Sequence, residues 1–405
     1  EIFMNNRTIT IGAVAIVALA AIFYFASSQK KVSEDIKVGI LLGFTGPIES
    51  LTPDMASGAE LAFNEASNSG ELLGGSKITI LRADSTCVDS AAATAAAEDL
   101  LSQGMTAMMG ADCSGVTGAV ATNVAVPNGF VMISPSATSP GLTDLEDKGM
   151  FFRTAPSDAR GGQVLADITN DKGIKSVAIT YVNSDYGLGL ADVYKAAVEA
   201  YGITVTTMAS HESDKADYSA DVGVLSSAGG DALAVLGYLD NAGGHIIEGS
   251  LDSGAFDTFV LSDGMIGDSL TDRFGSDLNN SFGSMPGSLG EGAQLFKSVA
   301  EAGGINASVY VGESYDAAAL IVLAMQAGKS SDKGSIAENI MSVANAPGEK
   351  IMAGEIAKGL KLLASGKDID YQGATDVTFT DVGEAEGAFI EKGISGGKFT
   401  DVAQR

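Results

Sequence analysis

Tryptophan is absent from this chain, cysteine and histidine occur only twice each, and proline only eight times. Two Cys and two His leave almost no material for a zinc cluster or a His-based catalytic dyad. Basic residues are also scarce: 24 Lys and Arg stand against 51 Asp and Glu, a formal net charge of −27. A chain this acidic is repelled by phosphate backbones and anionic lipid headgroups, so no nucleic-acid partner is expected. Gly328-Lys329-Ser330 lacks the upstream glycine of a phosphate-binding loop. His211 and His245 are far apart in the chain and read as surface or helix residues, not ligands. Neither an enzyme nor a cofactor-dependent protein is expected.

What is present is material for a packed body. Of 405 residues, 45% are hydrophobic and 19% charged, and 51 are glycine, which suits many short elements joined by tight turns. At roughly 100–200 residues per domain, the length allows two domains or three. The first segment stands apart. Arg7, an apolar run over 9–26, then Ser27, Ser28, Gln29, Lys30 and Lys31 have the layout of a secretory signal, with Ala26 and Ser28 as small residues near a cleavage point. Left uncut, a run of roughly 18–20 apolar residues also suffices for an N-terminal membrane anchor. On either reading residues 1–28 are an address, and the body works outside the cytoplasm, in the periplasm.

From residue 36 onward, buried-strand patterns alternate with helical ones. Strands are expected at 36–44, 77–83, 106–110 and 130–134, with helices at 55–68, 90–103 and 114–126 between them. A second series places helices at 161–172, 188–201, 218–228 and 242–253 among strands at 176–182, 204–208, 232–237 and 258–262. Beyond 281 the chain reads as mostly helical, closing with β-rich pieces at 375–379 and 387–390. Repeated strand–helix–strand units build parallel sheets covered on both faces. The expected class is therefore α/β, with two doubly wound, Rossmann-like lobes.

Cys87 and Cys113 each follow the end of an expected strand, and one crossover helix separates those strands. Parallel neighbours bring their carboxyl ends about 5 Å apart, the Cα separation that a disulfide needs. In an exported protein a disulfide is the simplest reading, with two buried thiols as the alternative.

Ligands of doubly wound sheets sit beyond the carboxyl ends of the strands. There the first series offers 43–47 (GFTGP), Asp112-Cys113-Ser114-Gly115 and the hydroxyl-rich 133–140, which carries Ser136, Ala137 and Thr138. Backbone N–H groups at a helix start, with Ser114 and Thr138 hydroxyls, can hold a carboxylate without a basic side chain. The plainer reading makes Ser114 a cap and Thr138 a turn residue. The second series offers Tyr186, Tyr238 and Asp263. Asp263 follows the apolar 259–261 and suits an ammonium, and the tyrosines suit a wall, although Asp before Gly is also a common turn. Anion donors facing a carboxylate form the pattern for a zwitterion.

These stretches resemble the leucine/isoleucine/valine-binding family of periplasmic receptors for ABC importers. The resemblance covers essentially everything after Ile36. It is carried in order by VGILLGFTGP (38–47), the Cys87/Cys113 pair, ADCSG (111–115), MISPSATSPGLT (132–143), FRTAPSD (152–158), Asp185-Tyr186-Gly187, ESYDAA (313–318) and DIDYQGATDVTF (368–379). It implies a type I binding-protein fold with three hinge crossings between lobes formed by 36–154 with 283–369 and by 155–282 with 370–405. By position, Ser114, Ser136, Ala137 and Thr138 would surround the α-carboxylate, Asp263 would meet the α-ammonium, and Tyr186 and Tyr238 would wall the side chain. Leu51 and Gly312-Glu313 depart from positions where aromatic or apolar residues are frequent, and Glu313 in the pocket would favour a polar or cationic side chain. The implied function is capture of an amino acid and delivery to an inner-membrane permease. A receptor for amides, urea-like solutes or small carboxylates, and an anchored sensory ectodomain, are the alternatives.

Overall fold

The computed structural model describes residues 35–345 and 347–405. The expected signal or anchor at 1–28 lies outside the described residues, and no helix among those described is long and apolar enough to cross a membrane.

The first sheet contains β1 (Asp35–Leu42), β2 (Lys77–Asp84), β3 (Ala107–Gly110), β4 (Met132–Ser134) and β5 (Phe151–Arg153), in the order β2-β1-β3-β4-β5. All its pairings are parallel. β1 is apolar almost throughout because helices cover both faces of the sheet. The second sheet contains β6 (Ser176–Val182), β7 (Thr204–His211), β8 (Ala232–Leu236), β9 (Phe259–Leu261) and β10 (Phe282–Pro286). Later come β11 (Glu349–Met352) and β12 (Ile369–Gly373), a separate parallel pair, and then β13 (Phe389–Ser395) and β14 (Lys398–Gln404). The second sheet runs β14-β13-β10-β9-β8-β6-β7, so a C-terminal antiparallel hairpin extends a parallel core.

The chain passes between the two lobes at 154–157, 287–290 and 374–388, the three expected crossings. Residues 283–286 hydrogen-bond within the second sheet, so the second crossing starts after Pro286. Four expectations shift at the local level. The 375–379 piece forms only an isolated bridge at Phe379, while β12 lies just before it. β5, β10, β11 and β14 escape the apolar-run criterion because they are short or carry polar residues. The 114–126 helix is broken into Ser114–Val120 and a π turn at Ala121–Ala125. His211 is not at the surface: it is buried at the end of β7, its Nδ1 lies 2.8 Å from Thr180 Oγ1, and burial lowers its pKa to about 4.

The helix Val311–Gly328 is the spine of the first lobe, with nearly every residue from Val311 to Gln326 buried. It packs on the helix Thr52–Ser69 so closely that a Cβ on Gly58 would stand 2.6 Å from the Val311 carbonyl oxygen. Only glycine fits at that crossing. Asp316 on the same helix accepts hydrogen bonds from Tyr371 Oη (2.7 Å), Ala374 N (2.8 Å) and Thr375 N (2.9 Å), anchoring the start of the third crossing. Burial raises its pKa to about 6.

Cys87 and Cys113 form a disulfide with a Cα–Cα distance of 5.1 Å. Closing a loop with a sequence separation of 26 stabilises the fold by about 3 kcal/mol through the unfolded chain. The double variant Cys87→Ser/Cys113→Ser is expected to lose that amount in chemical denaturation. Unchanged unfolding under oxidising and reducing conditions would contradict it.

Candidate functional site

Sheet order decides where a site can form. In the first lobe β1 is flanked by β2 and β3, and in the second β6 is flanked by β7 and β8. At each of these switch points successive crossovers leave in opposite directions, and a crevice opens beyond the strand ends. The loops after β1 and β3 deliver Ile48, Leu51, Asp112, Ser114 and, from beyond β4, Ser136. The loops after β6, β8 and β9 deliver Tyr186, Tyr238 and Asp263. All of them line one small cavity, about 20 Å³, between the lobes.

The lobes are closed over it. Ser50 N donates to Asp240 Oδ2 (2.8 Å), Asp240 N to the Pro47 carbonyl (3.1 Å), and Ser139 Oγ to the Asp185 carbonyl (3.0 Å). Each of these bonds joins one lobe to the other.

On the first-lobe wall, Ser114 begins the helix Ser114–Val120, with Cys113 in the cap position and no side-chain cap. Ser114 Oγ accepts from Ser139 N at 3.1 Å, so it ties the loops after β3 and β4 together instead of capping. Ser136 Oγ donates to the Asp112 carbonyl at 3.1 Å. Ala137 and Thr138 stand behind the wall. The Ala137 N–H is bound to Ser134 Oγ (3.0 Å), and the Ala137 carbonyl accepts from Arg153 Nη1 (3.0 Å). Arg153 draws this turn under the sheet edge, which carries Thr138 with it. The Thr138 hydroxyl is buried there beside the Asp158 carboxyl.

On the second-lobe wall, the rings of Tyr186 and Tyr238 stack with centroids 5.2 Å apart. Tyr186 Oη donates to Asp263 Oδ1 at 2.7 Å, and Ser262 Oγ lies 3.0 Å from the same phenol. Asp263 Oδ2 accepts from the hydroxyl of Tyr310, which reaches it from the first lobe. Burial raises the Asp263 pKa against the lowering effect of these two phenols. Burial and the neighbouring Asp263 charge raise that of Asp158 further.

Sequence reasoning missed Tyr310, with Ile48 and Met55 of the same lining, and took Asp112 and Gly264 only as part of their loops. Tyr310 precedes the helix Val311–Gly328 in a left-handed conformation, φ 62°. A bulky residue pays for that conformation, so its surroundings must hold it there. The available signal was an aromatic at the helix start, two residues before the Gly312 that drew attention. Asp112 accepts from Gly43 N (2.5 Å), Ser85 Oγ (2.8 Å) and Cys113 N (2.9 Å), knitting together the loops after β1, β2 and β3. Its carboxyl, next to the cysteine that attracted the disulfide reading, is raised in pKa by burial.

Leu51 lines the cavity, as its departure from the family pattern suggested, but Glu313 does not. The helix turn that follows Tyr310 carries Glu313 to an adjacent cavity. Burial, with Asp316 nearby, pushes the Glu313 carboxyl up to about 8. A carboxyl whose folded pKa exceeds its unfolded value stabilises the fold at low pH, and this contribution fades as pH rises from about 4.5 to about 8. Glu313→Gln is therefore expected to gain on the wild type between pH 5 and pH 8.5, by on the order of 2–4 kcal/mol at the upper end. Parallel stability–pH curves for the two proteins would contradict this.

A cavity at the facing switch points of two closed lobes is the arrangement of a solute receptor that works by hinge closure. The chain belongs to the periplasmic binding protein family, whose profile it matches over residues 35–357. Leu/Ile/Val-binding protein homolog 1 of Brucella melitensis is 30% identical over 329 residues, 80% of this chain and 85% of that protein. Homolog 3 of the same organism is 32% identical over 255 residues, 60% of this chain and 64% of that protein, just under two thirds of its length. In three dimensions the chain is similar to the branched-chain amino acid transporter substrate binding protein LivJ of Streptococcus pneumoniae, solved with isoleucine. The TM-score is 0.76 at 21% identity, covering 92% of this chain and 99% of that one. A solute-binding protein of R. palustris in complex with benzoate shares the fold, with a TM-score of 0.73 at 17% identity, covering 91% of this chain and 96% of that one.

Proposed function

We propose that this protein captures a small α-amino acid with an apolar side chain in the interlobe cavity, outside the cytoplasm, and delivers it to an ABC permease in the inner membrane. The observation that carries this reading is Asp263 facing the Ser114 and Ser136 loops across one cavity whose walls contain no Lys or Arg. An ammonium suits Asp263. A carboxylate oxygen pair has about four acceptor positions, and the two phenols occupy one on each oxygen. The α-carboxylate suits the free N–H groups of the Ser114 helix turn, which stands in the cavity wall. Ile48, Leu51, Met55 and the tyrosine rings offer an apolar enclosure.

The occupancy of both Asp263 oxygens by Tyr186 and Tyr310 favours a second reading, a small carboxylate or amide without an ammonium. Titration calorimetry against the twenty amino acids, benzoate, acetamide and urea separates the two. The first reading expects an apolar amino acid to bind best. Benzoate or an amide outranking every amino acid selects the second, and no binding tighter than about millimolar contradicts both.

A further inference from the structure

Leu51 also walls a second and larger cavity, about 410 Å³ and partly open to solvent. Phe296, Val309 and Glu313 of the first lobe face Ile266, Ile390 and Phe399 of the second across it. Glu313 is 3% exposed. The hydrogen bond that its carboxyl accepts among the described residues comes from its own backbone N–H. A buried carboxyl without an opposite charge or a donor from a neighbour is costly, and it is made favourable by a cation that reaches it. The lysines nearby do not serve. Lys392 is paired with Asp401, and Lys297 is exposed on the helix Glu291–Ala302. Asp54 and Asp268, one from each lobe, add negative charge to the cavity lining.

We propose that this cavity is a second ligand site, taking an organic ammonium ion with an apolar body, whose charge pairs with Glu313 and whose occupancy braces the two lobes together. The aromatic and aliphatic walls cover the body, and the carboxyl selects the charge. Because the walls come from both lobes, the ligand binds the closed arrangement better than an open one and shifts the hinge toward it. By reciprocity it raises affinity at the first cavity, whichever solute that cavity takes. At neutral pH the Glu313 carboxyl, held up to about 8, carries a proton that the ammonium displaces.

The test is thermal unfolding of the full chain with n-butylammonium or benzylammonium chloride, with sodium chloride as the ionic-strength control. A saturable rise in Tm is expected with the amines alone. In Glu313→Gln the apparent affinity should fall about tenfold or more. Ala293→Phe, which intrudes on the second cavity from the Glu291–Ala302 helix, should weaken the rise and decides the matter if the Glu313 variant does not fold. The proposal is overturned by either of two results: no rise with either amine in the wild type, or an undiminished rise in Glu313→Gln or Ala293→Phe.

Discussion

Arg153→Ala is expected to cost about 3–5 kcal/mol of folding stability and to weaken ligand binding in whatever protein still folds. The guanidinium is completely buried at the end of β5, where the chain leaves the first lobe. Its Nη1 donates to the carbonyls of Ala137 (3.0 Å) and Ser139 (2.9 Å), and its Nη2 to Thr143 Oγ1 (2.9 Å) and Glu384 Oε2 (2.5 Å). Truncation removes a donor from both loop carbonyls and leaves the largely buried Glu384 carboxylate with Thr143 Oγ1 and the Ser139 carbonyl with Leu142 N as their remaining partners. The fork itself is required, so Arg153→Lys should recover only part of the loss, because a point ammonium cannot reach both carbonyls and Glu384 in one plane. Denaturant unfolding measures the first effect and calorimetry the second. A loss under about 1 kcal/mol would mean that water replaces the guanidinium, and that the turn at 137–139 does not depend on it.

Asp263→Ala is expected to weaken amino-acid binding by about 2–5 kcal/mol, roughly 30-fold to several thousandfold. The carboxylate is 6% exposed, and the phenols of Tyr186 and Tyr310 hold it toward the cavity. Asp263→Asn keeps the shape and the acceptor oxygen but removes the charge, so most of the loss should remain. Burial raises the Asp263 pKa, so affinity for an ammonium ligand should fall on the acid side as this group takes up a proton. Burial raises Asp112 and Asp158 in the same direction. Tyr310→Phe separates two roles for the bridging phenol. If that hydroxyl mainly latches the lobes, affinity for an amino acid should rise when it is removed. If it holds Asp263 in place, affinity should drop. Ligand binding that is indifferent to Asp263→Ala would remove the ammonium from the description of the ligand.

Much of the frame was legible in the sequence because it depends on local regularities. The nearly unbroken apolar run of β1 and the helical spacing of Ala59, Ala62, Phe63 and Ala66 report burial directly, and these residues are buried. The Cys87/Cys113 pairing was readable for a similar reason: two strand ends separated by one crossover must lie side by side. The cavity-facing positions of Ser114, Ser136, Tyr186, Tyr238 and Asp263 follow from the same rule, since each lies just beyond a strand end. Legibility failed where a contact joins distant parts of the chain. Arg153 meets Glu384 from 231 positions away, and Tyr310 meets Asp263 from 47 positions away across the lobe boundary.

The sequence by itself determined the α/β alternation, the acidic surface charge and the strand ends at which a ligand could be held. These are properties of periodicity and composition, which act within one turn or one strand. Only the tertiary structure decided which of those residues face the cavity. Arg153 draws Ala137 and Thr138 behind the wall, the helix that follows Tyr310 sends the phenol into the first cavity, and the same helix turn sends Glu313 into the second. Side-chain direction at a loop or a helix start depends on partners far along the chain, and those partners meet only when the lobes pack and close.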